Sequence, residues 1–190
     1  SGNGGSGGGS GNGGPQLDGT FLWYIPVGAT DLNTTFNYLS EIGMHTVVFQ
    51  LTSHRYCASA AYTANNYYSP ANLEAFLAKA QTKGVNVYVG LNYVLDAWNC
   101  KYYAPSEAQK AKTELSSRFP ELFASCNKYT SCKGWYLPDE PNLVTLPSNQ
   151  TDLNNFYAYY KDQVNIIKAI DSQRSVLIAP YMHSAANPTT

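Results

Sequence analysis

The sequence predicts an α/β fold built on a parallel sheet. Short apolar runs alternate with longer segments of helical period, glycines follow the first two helical segments, and the stretches after the second and third apolar runs are long and rich in Tyr, Asn and Trp. Phe21 to Pro26 (FLWYIP), closed by Pro and followed by Gly28, has the character of a buried strand. Asp31 is placed to cap the next segment, where Leu32, Phe36, Leu39 and Ile42 recur at helical spacing until Gly43. Thr46 to Leu51 (TVVFQL) is a second strand. Ser69-Pro70 supplies an N-cap with Pro at the first helical position; Leu73, Phe76, Leu77 and Ala80 form one face, and Gly84 ends it. Val85 to Leu91 is strand three.

Ser106 with Gln109 resembles a capping box, and Pro120 predicts a kink or two short helices before Cys126. Gly134 to Leu137 (GWYL) is strand four. Asp152 opens the last helix, with Leu153, Phe156, Tyr157, Tyr160, Val164, Ile167 and Ile170 on its apolar face, and Ser175 to Pro180 is strand five. Two architectures fit this order: the first five strands of a (β/α)8 TIM barrel, a partial barrel, or a complete five-strand doubly wound, flavodoxin-like sheet. The segment after strand one, PVGATD, lacks the glycine fingerprint of a nucleotide-binding doubly wound fold. Long polar-aromatic segments after strands two and three favour the barrel, whose ligand face lies at the carboxyl ends of its strands.

Residues 1–16 form a separate unit. Nine of the 15 glycines fall in Ser1 to Gly14, a tract too poor in apolar surface to offset its ordering entropy, so it is expected to be a flexible linker ahead of a domain at 17–190. With no initiator Met, the linker implies an upstream module or a processed leader. A net charge of -1, without a basic run, gives no reason to expect nucleic acid or an anionic membrane as partner. Three dispersed histidines, His45, His54 and His183, and no metal-spaced cysteine pair imply neither metal nor cofactor. If neighbouring strands carry their trailing segments side by side, Cys57 and Cys100 can bridge, and Cys126 and Cys132 flank a short turn. Four cysteines so placed, with sequons at Asn33 and Asn149, suit an oxidising, extracellular compartment.

The most informative string is GWYLPDEP, residues 134–141, which sets two carboxylates directly after a hydrophobic strand. At the mouth of a barrel such groups face the ligand. Successive side chains alternate, however, so Asp139 and Glu140 should diverge rather than face each other across a substrate. This motif, with LDGTFL, LSEIGMHTVVFQLT, LEAFLAKAQTKGVNVYVGL and LIAPY, resembles the glycoside-hydrolase-like barrels known as domain of unknown function 4434, over roughly Leu17 to Tyr181. DEP is also similar to the N-E-P of retaining (β/α)8 glycosidases. That resemblance implies a glycoside hydrolase in which Glu140 is the general acid/base and Asp139 stands where the clan has a sugar-contacting Asn. It also implies a second carboxylate from strand seven, beyond Thr190; Asp96 is a weak candidate within this chain. A barrel without a complete carboxylate pair would instead bind carbohydrate without cleaving it. Contacts to a sugar are expected from Trp98 as a stacking platform and from Gln50, His54, Asn92, Tyr136, Tyr181 and His183.

Overall fold

A computed structural model describes residues 18–57, 59–97, 100–140 and 149–179. In chain order the elements are β1 (Gly19–Leu22), α1 (Ala29–Glu41), β2 (Thr46–Phe49), β3 (Ser53–Arg55), β4 (Thr63–Ala64), α2 (Pro70–Lys83), β5 (Asn86–Gly90), β6 (Asn92–Val94), α3 (Pro105–Cys126), β7 (Cys132–Leu137), α4 (Gln150–Ile170) and β8 (Ser175–Ile178). The expected linker lies outside the described residues.

The main sheet has the order β1-β2-β5-β7-β8, and every neighbouring pair is parallel. Each of the four helices packs on the next one along the chain. A doubly wound sheet would reverse its order at a switch point and divide its helices between two faces. Sequential order with consecutive helix packing is the barrel arrangement instead. Curvature gives independent support. β1 and β7 are separated in the sheet by two strands, about 14 Å if flat, yet the rings of Phe21 and Tyr136 meet edge to face at 5.5 Å. The sheet therefore bends around its inner face as a closing barrel must.

Strand alternation sorts the side chains between the two faces. Val47, Phe49, Val87, Val89 and Trp135 join Leu32, Phe36, Phe76, Leu77 and Phe119 in the core between sheet and helices. Phe119 packs on Trp135 at 4.6 Å, and the indole N–H donates to Asp171 at 2.9 Å, so this large buried side chain leaves no polar atom unpaired. Val48 and Tyr136, one residue out of step, are buried on the inner face. At the start of α2, Ser69 caps as expected, its hydroxyl accepting from the Asn72 N–H, and Gly84 ends the helix with φ 68, a conformation costly for any residue with a Cβ.

Several boundaries differ from the sequence expectations. β1 ends at Leu22, four residues before Pro26, and the chain bends at residues 23 and 24 before Ile25 returns to the core. α1 starts from Gly28, with Asp31 inside its first turn, and Ile42 is exposed rather than on the core face. Asn149, not Asp152, caps α4 by accepting from the Asp152 N–H at 2.8 Å; the buried face is Phe156, Tyr159, Tyr160, Gln163 and Ile167, while Tyr157 and Ile170 point to solvent. α3 runs unbroken through Pro120, and Ala104 rather than Ser106 precedes its first turn. Pro120 and Ser116 both lie on the exposed side, so the carbonyl that loses its N–H partner faces water, while Phe119 and Leu122 anchor both halves in the core.

The stretches after β2 and β5 are more regular than their composition suggests. β3 and β6 pair in parallel directly beyond them, and β4 folds back antiparallel on β3, giving a second sheet of order β4-β3-β6. A disulfide joins Cys57 to Cys100 beyond these strands, and another ties Cys126 at the end of α3 to Cys132 at the start of β7.

Candidate active site

The carboxyl ends of the sheet strands converge on a cleft of about 170 Å³ lined by Trp23, Gln50, Leu51, Tyr93, Pro138 and Glu140. Its construction follows from the strand ends. Trp23 leaves β1 one residue after the ladder stops and stands half exposed, its ring edge on to Tyr93 at 6.2 Å. Gln50 is held by donating its backbone N–H to Leu22 O at 2.9 Å, which couples the ends of β1 and β2. On the other side of β2, Gly90 permits an unusually close approach: a Cβ there would lie 2.0 Å from the Gln50 carbonyl oxygen. Pro138 and Glu140 follow β7 and form the opposite wall.

Glu140 is partly exposed in this cleft. Burial raises its carboxyl above the ordinary glutamate range, and the neighbouring Tyr136 hydroxyl acts against that rise by favouring the anion. A carboxyl whose proton is held more firmly by burial, beside an aromatic wall, is suited to donating that proton to a bound ligand.

Asp139 is turned the other way. It is 1% exposed, does not line the cleft, and has both oxygens occupied: one accepts the Val94 N–H at 2.8 Å and the other the Tyr159 hydroxyl. Its backbone carbonyl accepts from the Tyr160 hydroxyl at 2.7 Å, and that hydroxyl meets the Tyr102 hydroxyl at 2.6 Å. The alternation of side chains after β7 thus sends one carboxyl to the cleft and the other into the packing beneath α4.

Burial pushes Asp139 up to about 6 from 3.8, although Tyr159 and the Val94 N–H favour its ionised form. Between those two values the native chain holds more of this proton than the unfolded chain, so Asp139's contribution to stability declines as pH rises through about 4 to 6, by roughly 3 kcal/mol in all. Asp139→Asn can keep both bonds, its oxygen toward Val94 and its amide toward Tyr159. Urea midpoints measured from pH 4 to 7 should fall less steeply for this variant than for the parent protein; parallel curves would show that Asp139 does not titrate there.

Of the other sequence candidates, Gln50 lines the cleft and Tyr136 lies beside Glu140. Asn92 is buried, its amide donating to Gln163 at 3.3 Å and to the Tyr62 hydroxyl at 3.5 Å, away from the cleft lining. His54 sits within β3, opposite Thr63 and beside Tyr93 in the ladder, and does not line the cleft. Asp96 accepts the Cys57 N–H at 2.6 Å and so anchors the disulfide-linked segments. Trp98, Tyr181 and His183 lie outside the described residues. Trp23 and Tyr93 were not anticipated. Trp23 was assigned to a buried strand; the signal that could have exposed it is Pro26 with Gly28, which marks a turn reaching back to residue 23. Among the described residues no group of three or more His, Cys, Asp or Glu is arranged to hold a metal ion.

Comparison with known proteins agrees with this architecture. A family model described as "Domain of unknown function (DUF4434)" matches residues 17–190. No curated protein matches the chain. Among solved structures, an endo-1,4-beta-mannanase from Rhizomucor miehei superposes with a TM-score of 0.58 at 17% identity, over 87% of this chain and 56% of that one. An endo-1,4-beta-mannanase from Eisenia fetida gives 0.57 at 14%, over 90% and 59%. A protein from Bacteroides thetaiotaomicron VPI-5482 assigned as an alpha-L-fucosidase gives 0.62 at 20%, over 89% and 52%. At these identities the likeness is one of fold, to glycosidase barrels, and the chain spans between half and three fifths of each of these relatives.

Proposed function

The chain belongs to the family of domain of unknown function 4434, and from that premise we propose that it is the front part of a secreted glycoside hydrolase that cleaves O-glycosyl bonds of a polysaccharide or glycoconjugate. The observation that carries this is Glu140, set in a cleft at the carboxyl ends of the strands with its carboxyl raised, opposite the aromatic wall of Trp23 and Tyr93. The names of the fold neighbours support glycoside hydrolysis as the reaction class.

Acetal cleavage needs a proton on the departing oxygen, because an alkoxide is too basic to leave unaided. Glu140 supplies it while protonated. Trp23 offers an aromatic face to the C–H surface of a sugar ring, and Gln50 offers an amide for a hydroxyl. The reaction also requires a second carboxylate at about 5 to 5.5 Å for retention or about 6.5 to 9.5 Å for inversion. Among the described residues Glu140 is the one acid lining the cleft, so that partner must come from outside them. This same observation favours a second reading, a carbohydrate-binding barrel without catalysis. The two disulfides suit an oxidising compartment, and no described helix is long and apolar enough to cross a membrane. Residues 1–16 would then tether an upstream module.

The test is a pH profile of the full-length protein on polysaccharides and aryl glycosides. Glycoside hydrolysis should be lost on an alkaline limb lying above the ordinary glutamate range, since Glu140 acts only while protonated. Glycan retention without hydrolysis at any pH would select the second reading.

A further inference from the structure

The residue before Glu140 is bonded from more directions than packing alone requires. Its side chain is tied to β6 through the Val94 N–H and to α4 through Tyr159; its carbonyl is tied to α4 through Tyr160, whose hydroxyl is in turn met by Tyr102, just ahead of α3. Tyr159 and Tyr160 are neighbours whose rings stand nearly perpendicular, at 87°, so one turn of α4 reaches both ends of the same residue. All of these groups are buried, and none lines the cleft. The Asp139 carbonyl belongs to the peptide plane that begins Glu140. Fixing that oxygen and the Asp139 side chain together fixes the direction in which the Glu140 backbone enters the cleft, with Pro138 restricting it from the other side.

Resting on the glycosidase reading, we propose that Tyr160 and Tyr159, with Asp139, form a positioning clamp that aims the Glu140 carboxyl into the cleft. They act through the Asp139–Glu140 peptide and do not touch substrate. Placement errors of about 1 Å near a reacting bond can cost on the order of a hundredfold in rate, so the loss of one clamp bond should be visible in turnover rather than in affinity.

Tyr160→Phe removes the bond to the Asp139 carbonyl and keeps the ring. In the full-length protein kcat should fall about tenfold with KM nearly unchanged, and the alkaline limb should move to lower pH, because a loosened Glu140 spends time in water and loses part of the burial that raises it. The titratable groups near Glu140 are Tyr136 from β7, Tyr93 from β6 and Tyr160 from α4, all tyrosines that titrate well above this range, while the Asp139 carboxyl is turned away from it. Tyr157→Phe, on the exposed side of the same helix, should leave both kcat and the limb in place. A merely structural role for Tyr160 would lower the unfolding midpoint and leave the pH profile where it was, which would overturn the clamp. Should the parent protein cleave no glycoside, the glycosidase reading falls and the clamp is still decided by carboxyl 13C NMR, with the Glu140 resonance identified by its absence in Glu140→Gln. A lower Glu140 titration midpoint in Tyr160→Phe supports the clamp, and an unchanged one removes it.

Discussion

Replacing Glu140 by Gln should lower kcat/KM for an unactivated glycoside by about 10² to 10⁴-fold and leave glycan binding largely intact. Gln has nearly the same shape and keeps one accepting oxygen, but it has no acidic proton to transfer. The loss should depend on the leaving group. A nitrophenyl glycoside, whose phenolate departs without help, should lose much less than an alkyl glycoside or an oligosaccharide. Initial rates on a series of aryl and alkyl glycosides would measure this dependence. Equal losses along the series would mean that Glu140 serves binding or packing rather than proton transfer, and full activity in the variant would remove it from the reaction.

Gly90→Ala should be the most damaging single-methyl change in the sheet. The added Cβ would lie 2.0 Å from the Gln50 carbonyl oxygen and 2.4 Å from that of Phe49, both backbone atoms of the adjacent strand. A flexible side chain could turn aside, but these oxygens move only if β2 and β5 separate where they enter the cleft. Overpacking in a well-filled region costs about 1 to 3 kcal/mol and more where the backbone must shift, so a loss of at least about 3 kcal/mol in urea unfolding is expected. Any folded fraction should bind glycan poorly, since Gln50 would be displaced with its strand. Gly134→Ala is a milder control, its Cβ meeting the Ser175 carbonyl at 2.5 Å and the side of the Tyr88 ring. A Gly90→Ala protein as stable as its parent would show that the strands already stand further apart.

The alternation of strands and helices was legible because each α-helix has a buried stripe of its own: Leu32, Phe36 and Leu39, or Leu73, Phe76, Leu77 and Ala80, announce themselves by spacing. Ser69-Pro70 and Gly84 were legible because cap and stop act within a few residues. The division into β3, β4 and β6 was not, since these short strands are defined by what they pair with, and His54 beside Tyr93 leaves no local trace. Pro120 misled because the cost of Pro in a helix depends on whether water can reach the released carbonyl, a property of the folded surface. Within the candidate site, Glu140 followed from the end of β7 and from the resemblance of its motif. The divergence of Asp139 from it followed from alternation, but the burial of Asp139 under Tyr159 and Tyr160 depended on where α4 returns. Trp23 was hidden by a strand boundary misplaced by four residues, an error that turned a half-exposed wall of the cleft into a supposed core residue.

The sequential strand order has a consequence for how the chain comes to be folded. Every strand of the main sheet pairs with the one made just before it, and every helix packs on its predecessor. After the first, each strand of the main sheet and each α-helix therefore docks on an element that precedes it in the chain. A doubly wound chain instead turns back partway along and adds its later strands on the other side of its first. Here the sheet follows the chain in one direction, so that around the mouth Trp23 and Gln50 come before Glu140 in the order in which the chain is made.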